Sequence, residues 1–131
     1  MSPRKPHDDA DAPLPFGVDY VPPTQRVKPK TGRLLVGKVF DIPPGRAKAV
    51  PLENFRLAVF NVNGKFYAIK DACPHAEYPL SKGALHEEVV MCASHNWQFN
   101  VRTGQCIRGN PDIEVRTFPV EVVNDEIWVK L

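Results

Sequence analysis

Two short stretches of the chain each combine a cysteine with a histidine. They are Cys73-Pro74-His75 and, after sixteen further residues, Cys92-Ala93-Ser94-His95. Each stretch offers one thiolate donor and one imidazole donor. A structural zinc module usually carries two cysteines on one loop and two histidines on the other. The even split between two loops instead favours a binuclear site, in which one metal ion takes the cysteine of each loop and the second takes both histidines.

Further motifs follow the two stretches in a recognisable order. They are a glycine-containing segment at residues 80–85, an aromatic strand at residues 97–100, a Thr-Gly turn at residues 102–104, and a Gly-Asn-Pro element at residues 108–111. Together with the cysteine and histidine stretches, these motifs resemble the Rieske family. The resemblance covers about residues 33–131.

The Rieske resemblance implies a [2Fe–2S] cluster, one per chain, held by two cysteines and two histidines. On this analogy Cys73 and Cys92 bind one iron, and His75 and His95 bind the other. The family also has its cysteine-bound iron buried and its histidine edge near solvent. His75 and His95 are therefore expected to be both ligands and the point of electron exit to a partner protein.

Two positions in the second stretch depart from the family pattern. The residue after the second histidine is usually glycine and is Asn96 here, and the residue after the second cysteine is usually proline and is Ala93. Asparagine is among the few residues other than glycine that tolerate a positive φ angle. We therefore expect the second loop to keep the family conformation.

Other differences bear on the reduction potential. The quinol-oxidising Rieske proteins have a disulfide at the positions of Tyr78 and Ser94, and a serine that donates to a sulfide where this chain has Asn96-Trp97. Fewer donors aimed at the cluster stabilise its reduced state less. Rieske potentials span about −150 to +300 mV, and we expect a value below zero, near the lower end.

Composition excludes several other functions. A formal net charge of +2 does not support binding to nucleic acid or to a lipid surface. No apolar run approaches the roughly 20 residues that span a bilayer. The third cysteine, Cys106, is expected to be a buried apolar side chain rather than a redox group. Unpaired cysteines favour a reducing compartment, and we expect a cytoplasmic protein.

The segment at residues 1–32 differs from the rest of the chain. It holds seven of the fourteen prolines and has no apolar periodicity. We expect a Pro-rich N-terminal tail that is disordered or draped over the surface. The alternative is an extended docking arm in which Phe16, Tyr20 and Val21 lie along the body or a partner.

From residue 33 onward the pattern indicates β-strands, and residues 33–131 are expected to form one domain. Asn63-Gly64 favours a type I′ turn, because both residues of that turn need a positive φ. Short strands with turn signals between them predict an all-β fold, a small antiparallel sandwich or barrel with two cluster-binding loops. The predicted strands are residues 34–40, 47–52, 55–62, 65–70, 89–92, 97–101, 105–108, 114–123 and 126–131.

The histidine count limits the enzymatic possibilities. A Rieske oxygenase also needs a mononuclear iron in a separate domain, held by two histidines and a carboxylate. Only His7 and His86 remain after the cluster is assigned, and His86 is expected to be a surface residue. The chain is therefore predicted to be an electron-transfer component rather than a catalyst.

Three functions agree with these observations. The first is a soluble, monomeric Rieske-type ferredoxin that carries one electron from a flavin-containing reductase to a terminal oxygenase or related redox enzyme. The second is a tightly bound small subunit of a larger redox enzyme, resembling the small subunits of assimilatory nitrite reductases. The third is a structural zinc or mononuclear iron module that uses the same four side chains.

Overall fold

The structure is a computed structural model that describes residues 32–74 and 77–131. The predicted tail at residues 1–32 lies outside the described residues except for Gly32. His75, one of the four predicted metal ligands, also lies outside them. Both the tail and the domain boundary at residue 33 therefore stay predictions.

Eleven β-strands and two short 3-10 turns make up the regular structure of the described residues. The strands are β1 (Arg33–Lys38), β2 (Ala47–Pro51), β3 (Arg56–Val62), β4 (Lys65–Lys70), β5 (Ala84–His86), β6 (Val89–Met91), β7 (Gln98–Asn100), β8 (Cys106–Arg108), β9 (Thr117–Phe118), β10 (Val120–Val123) and β11 (Glu126–Lys130), and the 3-10 turns are Val39–Asp41 and Leu80–Lys82. All strand pairs among them are antiparallel. The predicted all-β fold is confirmed. Between Gly32 and Leu131, the described residues include no helix long and apolar enough for a membrane span.

The strands form three sheets that share two hydrophobic cores. The sheet orders are β1-β11-β10, β2-β3-β4-β9 and β5-β6-β7-β8. β3 is buried on both faces, because Leu57 and Val59 belong to one core while Ala58 and Phe60 belong to the other. Alternate side chains of a strand point to opposite faces, so its continuous apolar run supplies both cores at once.

The hairpin at Asn63-Gly64 forms as predicted. Asn63 and Gly64 both have positive φ angles, 52° and 92°, and join β3 to β4. The side-chain oxygen of Asn61 accepts a hydrogen bond from the Gly64 N–H at 2.7 Å. This hairpin leads the chain directly into the first predicted ligand loop, which starts after β4.

The predicted strand at residues 114–123 is wrong as a single element. The chain instead makes an isolated bridge at Glu114, then β9, and then β10 in a different sheet. Pro119 lies at the junction, where it has no N–H to donate to a sheet. Its carbonyl oxygen accepts from the Lys130 N–H at 2.9 Å, which starts the pairing with β11.

Two smaller differences concern strand ends. β1 ends at Lys38, two residues before the predicted limit, because the side chain of Asp41 accepts from the Lys38 N–H at 2.8 Å and a 3-10 turn follows. β5, which pairs with β6 next to the second ligand loop, was not predicted from the sequence. β5 has three residues, too few to show an alternating pattern.

Glu88 ties the start of β6 to the end of β7. Its carboxylate accepts from the Asn100 side chain at 2.7 Å and from Arg102 at 3.3 Å. The Asn100 hydrogen bond, and then the Arg102 hydrogen bond, hold the pKa of Glu88 below its ordinary value. Because this pKa is lowered, the stabilisation is present at neutral pH and is lost as the pH falls through the folded-state value.

The turn between β7 and β8 requires glycine at residue 104. Gly104 has a φ of 82°, and a Cβ atom there would collide with the carbonyl oxygen of Val115. Gly45 has nearly the same φ, 81°, but no atom of residues 32–74 or 77–131 lies within 4 Å of the place where its Cβ would stand. A substitution at Gly45 therefore introduces backbone strain alone, whereas one at Gly104 introduces strain and a steric collision.

We predict that Gly104→Ala destabilises the protein more than Gly45→Ala does. The strain common to both costs about 1–2 kcal/mol. The collision at residue 104 adds about 1–3 kcal/mol, because the neighbouring backbone must move. Urea unfolding of the two variants beside the parent protein measures the difference, and equal losses would contradict the close approach to Val115.

Candidate metal centre

The first predicted ligand, Cys73, lies three residues beyond the end of β4. Its side chain is fully buried in the core that β3 shares with the sheet β5-β6-β7-β8. His75 follows two residues later, outside the described residues. The chain is described again from Glu77, whose N–H donates to the carbonyl oxygen of Cys73 at 2.6 Å.

The second predicted ligand, Cys92, directly follows β6. It is 1% exposed and belongs to the same buried core as Cys73. The strand before each cysteine lies in a paired sheet, so both loops start from rigid backbone. The fold thus brings two cysteines that are far apart in sequence into one buried cluster.

The cysteines of the two loops make matching backbone hydrogen bonds, although the histidine spacings of the loops differ. The Cys73 N–H donates to the Tyr78 carbonyl oxygen at 2.8 Å, and the Cys92 N–H donates to the Trp97 carbonyl oxygen at 2.6 Å. In the second loop the Cys92 carbonyl oxygen accepts from the Asn96 N–H at 2.9 Å, as Cys73 accepts in the first. Each cysteine therefore makes the same two backbone hydrogen bonds, with the residues four and five positions later.

Closing each loop requires a residue with a left-handed backbone conformation four positions after its cysteine. Asn96 has a φ of 61°, and Glu77 has a φ of 59°. Asn96 therefore has the positive φ that is expected of a residue in the place of the family glycine. Glu77 was missed in the sequence, because glutamate has no preference for this conformation. Aligning the two loops on their cysteines would have identified it.

The histidine of the second loop points away from the core. His95 is exposed, whereas Cys92 is buried. The Ser94 hydroxyl lies 3.0 Å from Nδ1 of His95. The loop thus places its thiol inside and its imidazole at the surface, as expected for a cluster with a buried cysteine side and an accessible histidine side.

The described residues contain no group of three or more histidine, cysteine or acidic side chains close enough to hold a metal ion. With His75 outside these residues, the four predicted donors are not seen together. The donors that are described fit the inferred centre nonetheless. Two buried thiols on equivalent loops, with an imidazole on the solvent side, suit a binuclear site with different ligands on its two metal ions.

The residues around the loops agree with the sequence interpretation. The indole ring of Trp97 packs against the backbone of Gly109, so the Gly-Asn-Pro element contacts the residue that closes the second loop. Cys106 is buried, and its thiol lies 3.2 Å from the carbonyl oxygen of Arg108. The side chain of His86 is 92% exposed, which confirms it as a surface residue.

A further polar cluster at the base of the first loop was not identified from the sequence. Asp71 is 1% exposed and accepts two hydrogen bonds from Ser81, on the far side of the loop. Arg56, at the start of β3, lies beside Asp71. A single aspartate at a strand end gives no signal of burial, because its partners come from distant parts of the chain.

Comparison with known proteins places these features in a family context. A profile of the Rieske [2Fe-2S] domain matches residues 32–119. The chain is 36% identical, over 92 residues, to the biphenyl dioxygenase ferredoxin subunit of Pseudomonas sp. (strain KKS102). That alignment covers 70% of this chain and 84% of the relative.

Two solved structures have the same fold. One is a chain of the complex of reduced oxygenase and oxidized ferredoxin in carbazole 1,9a-dioxygenase, with a TM-score of 0.74 and 33% identity, covering 77% of this chain and 94% of that one. The other is the ferredoxin of carbazole 1,9a-dioxygenase from Nocardioides aromaticivorans IC177, with a TM-score of 0.71 and 29% identity, covering 76% and 98%.

The left-handed residues of the loops generate a prediction. We expect Asn96→Ala to lower the free energy of unfolding by about 1 kcal/mol, since alanine pays the left-handed penalty in full. Asn96→Gly should leave stability unchanged or raise it, and Glu77→Gly should raise it by about 0.5–1 kcal/mol. Urea unfolding followed by tryptophan fluorescence measures all three. If alanine and glycine at residue 96 have equal effects, the loop does not need this conformation.

Proposed function

The chain belongs to the Rieske [2Fe–2S] family, and on that premise we propose that it is a ferredoxin that delivers single electrons to a terminal oxygenase. It binds a [2Fe–2S] cluster, and it is an electron-transfer component rather than an enzyme. Its relatives are ferredoxin subunits of dioxygenase systems, which favours a mobile carrier over the alternative of a permanently bound small subunit.

The ligand assignment is part of this proposal. Cys73 and Cys92 bind one iron, and His75 and His95 bind the other. The observation that carries the assignment is the pair of equivalent loops, which buries both cysteines in one core and leaves His95 exposed. When bound, the cluster supplies a centre that accepts and releases one electron.

The protein's own residues determine where that electron enters and leaves. The core around Cys73 and Cys92 excludes water from the thiolate side. His95 lies at the surface, where a partner can come close to the imidazole without unfolding the loop. Electron transfer through this edge therefore needs no conformational change in the strands behind it.

The partners follow from the relatives. The carbazole 1,9a-dioxygenase structure contains an oxygenase together with a ferredoxin. By analogy, the electron acceptor of this chain is a terminal oxygenase. We propose a flavin-containing reductase as its donor, as the Rieske resemblance implies. We further propose that the chain acts as a monomer in the cytoplasm and binds neither nucleic acid nor membrane, in agreement with its net charge of +2.

The ligand assignment predicts the metal content of the purified protein. We expect two irons and two acid-labile sulfides per chain, and a reversible uptake of one electron in a coulometric titration. His95→Ala should lose the cluster, because one iron would keep a single protein ligand. His86→Ala is the matched control, since that side chain is 92% exposed, and it should keep full iron and sulfide content.

Two outcomes would overturn the proposal. One zinc per chain without sulfide would identify a structural metal module instead. Full cluster content in His95→Ala would mean that another side chain completes the second iron.

A further inference from the structure

Two charged side chains, Asp71 and Arg56, lie at the base of the first ligand loop. Asp71 lies two residues before Cys73, and its side chain is completely buried. Because two residues of extended chain span at most about 7 Å, its charge is close to the loop. Arg56 is the nearby cation, with a side chain 15% exposed.

Asp71 and Ser81 close the loop at its base. The Ser81 N–H donates to one carboxylate oxygen of Asp71 at 2.7 Å, and the Ser81 hydroxyl donates to the other at 2.6 Å. Residues 71 and 81 bracket the whole first loop, so these bonds hold its two ends together. A buried carboxylate that accepts such bonds has one preferred orientation.

Arg56, the first residue of β3, links Asp71 to the sheet β2-β3-β4-β9. Its guanidinium donates to the carbonyl oxygen of Asp71 at 3.0 Å, and its carbonyl oxygen accepts from the Asp71 N–H at 2.8 Å. The direct charge pair is looser, with Nε of Arg56 3.5 Å from Oδ2 of Asp71. This Nε is buried and makes no hydrogen bond to any of the described residues.

The two charges are therefore screened to different extents. The carboxylate of Asp71 has no contact with solvent, whereas the guanidinium of Arg56 is partly solvated. A charge in a less polar environment acts more strongly on its neighbours. A fixed negative charge opposes the addition of an electron nearby, and a fixed positive charge assists it.

We propose that Asp71 is a positioning residue for the first ligand loop and that its buried charge lowers the reduction potential of the cluster, partly offset by Arg56. This inference rests on the proposed cluster at Cys73. It attributes part of the expected low potential to the charge of Asp71, in addition to the missing hydrogen-bond donors, and it gives Arg56 the opposite effect. Ser81 acts through Asp71 and contributes no charge of its own.

The test is the midpoint potential of single-charge variants, measured by protein-film voltammetry. Asp71→Asn, which keeps the shape and removes the negative charge, should raise the equilibrium constant for reduction about tenfold, or ~59 mV. Arg56→Gln should lower the equilibrium constant for reduction by about threefold or more, because it removes the positive charge. Arg56→Lys is the matched control, because it keeps the positive charge, and its midpoint should stay close to that of the parent.

The opposite directions of the midpoint shifts in Asp71→Asn and Arg56→Gln distinguish this inference from a merely structural role. If Asp71 and Arg56 only hold the loop together, losing either one loosens it, and both midpoints move in the same direction. Ser81→Ala loosens the closure without changing a charge, so its midpoint should change less than twofold. Shifts of the same sign, or an unchanged midpoint in Asp71→Asn, would overturn the inference.

Failure of this inference and failure of the proposed function give different results. A parent protein without iron and sulfide would refute the cluster itself. A parent protein with a full cluster, and variants that do not shift its midpoint in opposite directions, would refute only the role of the charges. If Asp71→Asn does not fold, the comparison of Arg56→Gln with Arg56→Lys decides the question, since equal midpoints in those two variants would refute it.

Discussion

Each predicted ligand loop is closed by two backbone hydrogen bonds on its own cysteine, and the rest of the site depends on this closure. The N–H and the carbonyl of Cys73 and of Cys92 are both occupied within the loop, so each cysteine is held with its side chain in the core. The geometry demands a left-handed residue at the fourth position, supplied by Glu77 and Asn96. The closure also explains how loops with different histidine spacings present equivalent cysteines.

The sheets supply the core that buries the cysteines and the strands that lead into the two loops. β3 carries apolar side chains on both faces, so one strand joins the core of the body to the core that surrounds the cysteines. β4 and β6 then deliver the two loops to the same region. The Arg56–Asp71–Ser81 cluster adds a polar attachment beneath the first loop, where the apolar core alone would not fix its ends.

Much of this arrangement could be predicted from local signals. Asn63-Gly64 predicts its hairpin because few residue pairs accept two positive φ angles, and the cysteine and histidine spacing indicated the ligand loops. The predictions failed where tertiary contacts decide. Pro119 moves the chain between sheets, and Asp71 is buried by partners distant in sequence. The role of His75 stays a prediction, since it lies outside the described residues.

In the proposed centre two histidines, one from each loop, bind the same iron. Pulsed electron paramagnetic resonance of the reduced protein tests it directly, with histidine labelled by nitrogen-15 and with His7 and His86 replaced by glutamine. We expect couplings to two nitrogen-15 nuclei, one from His75 and one from His95, and a spectrum identical to that of the labelled parent protein. Coupling to a single nitrogen, or loss of a coupling on replacing His7 or His86, would contradict it.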